Sequence, residues 1–549
     1  MSNSPSPRPL AIVTCYPVIA TMSDPSQITL PLGQLRGAVR PTHRVFYNIP
    51  YAQFPTGRPA LTHSQAPIGE LRWRAPKKLE QKWEEVRDAT KPGPKCPQPG
   101  GFQTPDVIFD DPKTVSDEDN CLNLNVWTPP VQTQPKEGWP VMVYVFGGGF
   151  RNGNGGAPAY DGSNFVGSNP IILVTINYRV NIFGFLASRE LAEDSGDGSA
   201  GNYGFLDQRL AFEWVSPRTY CEVKGNIHLF GGDVSRITAF GNSAGSLMIL
   251  LHLFISRNLF HRAILQSGIK LTTPTPKISD QQRTFDLVCD ELGIKSPNRL
   301  DQLRRVPSNK LTEIIPRIEM NANTKIRWHG TMDGVTVHKE IRTLLNEGGV
   351  DPNVLEIVVG NTTDEGTLFV TGIPIAETYH DTLAKIFPTI AGKVEALYPI
   401  TEFRDTQMIA LARIHGDRAF SGPVRHAARH LAATGRKVYY YRFNSLLEIT
   451  SELNLGIHHA IELPFLFKRS EQLTEAENRT SDRVIEAWTS FAASGVPLLG
   501  KASVEWEQFT GKGGKVLVFE EGGVTRYETD DSKVSDQRLT FWDAFEDQA

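Results

Sequence analysis

Five apolar, β-branched runs that stop abruptly at glycine or polar loops constrain this chain more than anything else in it. They are Val141–Phe146, Ile171–Tyr178, Ile237–Phe240, Leu355–Val359 and Val438–Phe443. Each is apolar at successive positions rather than alternate ones, as expected of a strand covered on both faces. Helix-like stretches lie between many of them, among them Phe205–Val215 and Ser246–Phe254. Doubly covered strands alternating with helices specify an α/β fold with a large, mostly parallel central sheet flanked by helices. In such a sheet the functional groups gather where strands end and loops begin.

The 549 residues, 40% of them hydrophobic, hold enough apolar mass for a large core. No internal repeat or long linker divides them, so one domain over residues 30–549 is expected, preceded by a leader over 1–29. In that leader Arg8 precedes a modest apolar stretch from Leu10, and Val18-Ile19-Ala20 has the form of a cleavage site. Thr14 and Pro17 make a poor signal core, however. The segment reads as a disordered lead-in before Met22, which favours an intracellular protein over a secreted one. A net charge of −4 offers no basic stripe for nucleic acid. No apolar run reaches the roughly 18 residues of a membrane span. The longest, from Ser246 to Ile255, is interrupted by His252 and reads as a buried helix. Cys15, Cys96, Cys121, Cys221 and Cys289 show no CxxC spacing, so no zinc site is expected. Gly196–Gly201 matches GxGxxG, but a polar, helix-like stretch from Ser188 to Ser195 precedes it where a dinucleotide site needs a strand. It reads as a surface loop.

Gly241-Asn242-Ser243-Ala244-Gly245 fits GxSxG, a pattern that chance nearly supplies in a chain this long. Its setting carries more weight. Arg236–Phe240 reads as a strand and Ser246–Leu250 as a helix, so Ser243 sits at the tip of a tight strand-to-helix turn. The helix N-terminus offers free N–H groups to a developing anion. A serine hydroxyl needs a base, and the base needs a carboxylate to fix its tautomer. Asn361–Gly366, after one strand, offers Asp364 and Glu365. Gly456–Glu462, after another, offers His458 and His459. Phe146-Gly147-Gly148-Gly149-Phe150 ends a strand with no side chains to block N–H groups aimed at an oxyanion.

With these residues assembled, the chain resembles the type-B carboxylesterases, the family of cholinesterases and some fungal lipases, from about Gly33 to Phe545. The markers include Ile49-Pro50-Tyr51-Ala52, Gly69-Glu70-Leu71-Arg72-Trp73, Cys121–Trp127, Asn177-Tyr178-Arg179, Leu206–Arg209, Phe230–Asp233 and Gln266-Ser267-Gly268. The resemblance implies an α/β-hydrolase fold and cleavage of a small-molecule carboxylic ester, with no metal or organic cofactor. It implies Ser243 as nucleophile, Glu365 as acid and His459 as base, because the family's His-Gly-x-Glu aligns with His459-Ala460-Ile461-Glu462. N–H groups of Gly148, Gly149 and Ala244 would form the oxyanion hole. Cys96 and Cys121 would match the family's first disulfide, contributing about 3 kcal/mol in an oxidising compartment. Glu462 would either back the reacting groups or form an ordinary salt bridge.

The chain departs from the family pattern at five places. Asn242 stands where the family usually has an acid, and Phe146 where it often has histidine. About 55–65 and 216–224 break otherwise continuous motifs and, with the leader, complete the five; some of these three segments read as gene-model errors, such as translated introns. The loop between Cys96 and Cys121 contains no tryptophan to face a quaternary ammonium. It is short and carries Asp106, Asp110, Asp111, Asp117, Glu118 and Asp119, unlike an apolar lipase lid. A neutral, soluble or moderately hydrophobic ester is therefore the expected substrate. A lipase, a specialised-metabolite hydrolase or acyltransferase, and a silent binding protein are the rival readings. Retention of all three triad residues weighs against the last.

Overall fold

The computed structural model describes residues 24–53, 71–100, 113–167, 169–216, 225–269, 271, 274–320, 326, 328–370, 373–468, 473–500 and 504–546. Its centre is an eleven-stranded sheet. In chain order the strands are β1 (Ala38–Val39), β2 (Arg44–Pro50), β3 (Asn123–Thr128), β4 (Trp139–Val145), β5 (Ile172–Ile176) and β6 (Gly232–Asn242). They continue with β7 (Arg262–Gln266), β8 (Glu356–Thr362), β9 (Lys437–Asn444), β10 (Lys515–Glu520) and β11 (Thr525–Thr529). Across the sheet the order is β11-β10-β9-β8-β7-β6-β4-β5-β3-β2-β1. From β10 to β5 every neighbouring pair is parallel, whereas β1, β2, β3 and β11 join antiparallel at the two sides.

The five runs singled out above are all strands of the parallel part. Their residues are buried almost without exception: every position of β4 and β5 is inaccessible to solvent. Helices flank the sheet, among them α1 (Tyr203–Val215), α2 (Ala244–Ile255) and, later, α3 (Tyr379–Ile386); the last two contribute to the candidate site. The apolar stretch with His252 is α2, a buried helix packed on β4, β6 and β7. Among the described residues no helix is long and apolar enough to cross a membrane. Gly196–Gly201 follows the helix Arg189–Ser195, which Gly196 ends in a left-handed conformation. It is a loop after a helix, as its context implied.

A second, smaller apolar core gathers Val370, Tyr379, Leu383, Phe387, Val394, Tyr398, Leu411, Ile414 and Trp542. It belongs to α3, to the helices Ala391–Leu397 and Gln407–Gly416, and to the C-terminal helix Lys533–Glu546. This core stands apart from the one around the sheet. The cavity at the candidate site described below has walls from both.

The leader was expected to end at residue 29, but Gln27–Leu30 is already a strand, paired antiparallel with Gly33–Arg36. Ile28 and Leu30 are its buried positions. Four residues are too few for periodicity to announce a strand. Residues 1–23 lie outside the described residues. So does the segment 55–65, together with 217–224 and Cys221.

The flanks of 217–224 are informative. Ser216 ends α1, with its N–H donating to Phe212 O. A Cβ placed on Gly225 would stand 2.7 Å from Ser216 Cα. The two flanking residues are thus about one peptide step (~3.8 Å) apart. Deleting 217–224 is expected to leave the fold intact, with Tm within about 3 °C of the parent, because the residues to be joined already lie side by side and only local adjustment is needed. Circular-dichroism melts check this; a deletion variant that fails to fold would show the segment to be integral.

Candidate active site

Ser243 occupies the pivot between β6 and α2 with φ 56° and ψ −124°. A non-glycine residue held there stores about 1–3 kcal/mol of strain, which neighbouring packing must sustain. That packing is tight. A Cβ on Gly245 would fall 2.0 Å from Val145 O, and one on Gly268 would fall 1.9 Å from Ser243 O. The Ser243 N–H donates to Gln266 O at 2.8 Å, tying the turn to the end of β7.

The glycine run leaves β4 beside this turn. Gly148 and Gly149 have φ 98° and 63°. A Cβ at Gly148 would strike Asn152 O at 2.1 Å. Phe146, in place of the family's histidine, stacks on Tyr178 with centroids 4.2 Å apart, and the Tyr178 hydroxyl donates to Phe146 O at 2.7 Å. Farther along, Asn181 donates its N–H to Phe150 O and its side-chain amide to Arg151 O. These contacts hold the loop rigidly. Ala244 opens α2, where N–H groups have no intrahelical acceptor.

The histidine and the acid meet across the ends of β8 and β9. His459 Nδ1 and Glu365 Oε2 are 2.5 Å apart, with both side chains buried. Glu365 Oε1 accepts the N–H of Thr362 at 2.7 Å. His459 Nε2 is buried with no hydrogen-bond partner among the described residues. Asp364 instead accepts the N–H of Ile457 at 3.0 Å, and His458 Nδ1 donates to His459 O at 2.9 Å. Geometry therefore separates the two pairs that residue types alone left open. Ala460 takes φ 69°, the left-handed conformation that the family's glycine adopts freely and alanine adopts with strain.

Glu462 is buried, not a surface ion-pair partner. Its Oε1 accepts from Asn242 Nδ2 at 2.7 Å and from Gln266 Nε2 at 3.2 Å, linking the serine turn to the histidine segment. Burial first, and then the charge of Glu365, push its carboxyl above the usual range. A raised carboxyl contributes stability that is present at low pH and lost as pH rises through its folded value. Glu462→Gln is therefore expected to be about 1–2 kcal/mol more stable than the parent at pH 8, with the difference gone by pH 4. Its new amide can donate to Asn242 Oδ1, which has no partner among the described residues. Melts of both proteins across this range measure it; a variant less stable at pH 8 would contradict the assignment.

Ser243, Ala244 and Gly149 line a cavity of about 790 Å³. Its opposite wall comes from Phe369, Ile373, Ile386, Lys385, His415, Arg418 and Phe420. The rings of Phe420 and Phe369 lie 4.8 and 5.2 Å from that of His459. Sequence reasoning missed this wall because no motif marks it. Phe150 and Leu247 also border a second hollow of about 640 Å³.

Comparison with known proteins decides the family. The model of the carboxylesterase family matches residues 24–542. This chain is a carboxylesterase-family member. Fumonisin B1 esterase of Sphingopyxis macrogoltabida is 30% identical over 92% of this chain and 88% of its own. Para-nitrobenzyl esterase of Bacillus subtilis is 30% identical over 88% and 92%, and mouse (Mus musculus) cholinesterase 30% over 94% and 86%. A solved thermophilic para-nitrobenzyl esterase superposes with a TM-score of 0.76 at 26% identity, covering 94% of this chain and all of that one. The fold is thus the α/β-hydrolase fold, and the protein is a carboxylic ester hydrolase.

The family markers of this esterase meet in space. Arg179 forms a buried, two-pronged pair with Asp207, 2.8 and 2.7 Å. Removing either partner would strand a buried charge, at about 3–5 kcal/mol. Tyr51 donates to Asn177 O, and Arg72 pairs with Glu118, which therefore serves structure. Asp106, Asp110 and Asp111 of the same loop lie outside the described residues. Cys96 and Cys121 are buried with their sulfurs facing each other at 2.6 Å. Their approach is what the resemblance implies; bond formation is left to the redox compartment.

Proposed function

We propose that this esterase cleaves carboxylic esters through an acyl-enzyme formed on Ser243, with His459 as base and Glu365 as the acid that orients it. The observation that carries the reading is the buried 2.5 Å contact between His459 Nδ1 and Glu365 Oε2, behind a ring packed on the cavity that Ser243 lines. Fixing the proton on Nδ1 leaves Nε2 as the acceptor for the serine hydroxyl.

Ser243 Oγ bonds to the ester carbonyl carbon while its proton passes to His459 Nε2. The carbonyl electron pair moves onto oxygen, which the N–H groups of Gly148, Gly149 and Ala244 stabilise. On collapse the C–O bond to the alcohol breaks, and His459 returns the proton to the departing oxygen. Water then attacks the acyl-enzyme and gives its proton to His459; on collapse the bond to Ser243 Oγ breaks, His459 returns the proton to that oxygen, and the carboxylic acid leaves. The bond from Asn242 to Glu462 supports the relative placement of serine and histidine. The thiols of Cys96 and Cys121 become a disulfide wherever an oxidant reaches them.

Labelling with a fluorophosphonate, followed by peptide mapping, tests the centre of this reading. One adduct on Ser243, prevented by prior heat denaturation, is the expected result. Labelling elsewhere, or none in folded protein, would overturn the nucleophile assignment.

A further inference from the structure

The charged groups among the described residues lining the Ser243 cavity are cations. They are Lys385 and Arg418, beside the titratable ring of His415, with no Asp or Glu among them. The two cations differ in their surroundings. Arg418 Nε holds Glu546 Oε1 at 2.7 Å, and its guanidinium lies 5.5–5.7 Å from the rings of Phe387, Trp542 and Phe545. Glu546 is 5% exposed, so this pair is fixed in place and largely self-neutralised. Lys385 stands exposed in the last turn of α3, with no hydrogen bond or ion pair among the described residues. The same wall presents Phe369, Ile373, Pro374 and Ile386, an apolar surface beside the positive charge of Lys385.

Such a wall discriminates by charge. An ammonium-bearing ester meets like charge there, whereas an aliphatic arm that ends in a carboxylate covers the apolar residues and reaches the ammonium. We propose that the preferred substrates are esters carrying a free carboxylate at the end of an aliphatic arm, that is, monoesters of dicarboxylic acids, with Lys385 receiving the carboxylate. This rests on the ester-hydrolase site described above and revises the neutral substrate expected from sequence.

The test compares 4-nitrophenyl hemiadipate with its methyl ester, which has the same leaving group and arm but no charge. The expected result is a higher kcat/KM for the hemiadipate, carried by KM and shrinking as salt rises from about 0.05 to 0.5 M. The ratio of the two kcat/KM values should fall about tenfold in Lys385→Glu, fall less in Lys385→Gln, and persist in Lys385→Arg. Hydrolysis of the methyl ester with a ratio indifferent to Lys385 would overturn the carboxylate proposal alone. Hydrolysis of neither ester, with no fluorophosphonate adduct, would overturn the ester-hydrolase site and the proposal together.

Discussion

Replacing Ser243 by alanine is expected to lower kcat for a p-nitrophenyl ester by about 10⁶-fold, with little change in KM. The reason is local. Ser243 is held at φ 56° at the mouth of α2, where its hydroxyl borders the cavity and no other nucleophile occupies the pivot. Alanine keeps the backbone, the packing of Gly245 and Gly268, and the oxyanion donors. What remains is binding and electrostatic stabilisation, worth about 10³–10⁴-fold over water. Steady-state kinetics together with loss of the fluorophosphonate adduct check the result. Turnover near that of the parent would remove Ser243 from the mechanism.

Glu365→Gln is expected to cut kcat by about 10⁴-fold while leaving the fold intact. Both carboxylate oxygens are committed as acceptors, Oε1 to the Thr362 N–H and Oε2 to His459 Nδ1. An amide has one oxygen. If that oxygen keeps Thr362, an NH₂ group faces the ring, and the imidazole answers by moving its proton to Nε2. In that tautomer it cannot accept the serine proton. Asp364→Asn is the control, because Asp364 accepts from Ile457 N–H and does not contact the ring. Its effect should stay within about tenfold. A larger loss from Asp364→Asn than from Glu365→Gln would assign the acid wrongly.

The sheet was legible wherever strands are covered on both faces, since burial there forces apolar residues at successive positions. Ile172–Ile176 is such a strand, and the run Ile171–Tyr178 announced it. The antiparallel margins were not legible. Ala38–Val39 is two residues long, and Thr525–Thr529 carries polar or charged residues at every position but Tyr527. At the site, the strand–turn–helix around Ser243 was readable because its chemistry is local. Choosing Glu365 over Asp364 required the family resemblance, and the 2.5 Å contact with His459 now supplies a physical reason. Burial of Glu462 could not be read, because its partner Asn242 is 220 positions away. Lys385 and Arg418 were invisible for a similar cause. Lys385 reaches the cavity from α3 and Arg418 from the π-helical turn Asp417–Ser421, and neither segment carries a chemical motif.

That separation of 220 positions between Asn242 and Glu462 has a meaning in time. At synthesis rates of about 5–20 residues per second, the serine turn leaves the ribosome roughly 10–45 s before Glu462 is made. On the proposed mechanism, the nascent chain during that interval carries Ser243 without His459, the base that would take its proton. It can neither cleave an ester nor be inactivated by an organophosphorus reagent that needs an activated serine. The young polypeptide passes its most exposed moments chemically silent, and the first turnover reports that its C-terminal part has arrived and docked.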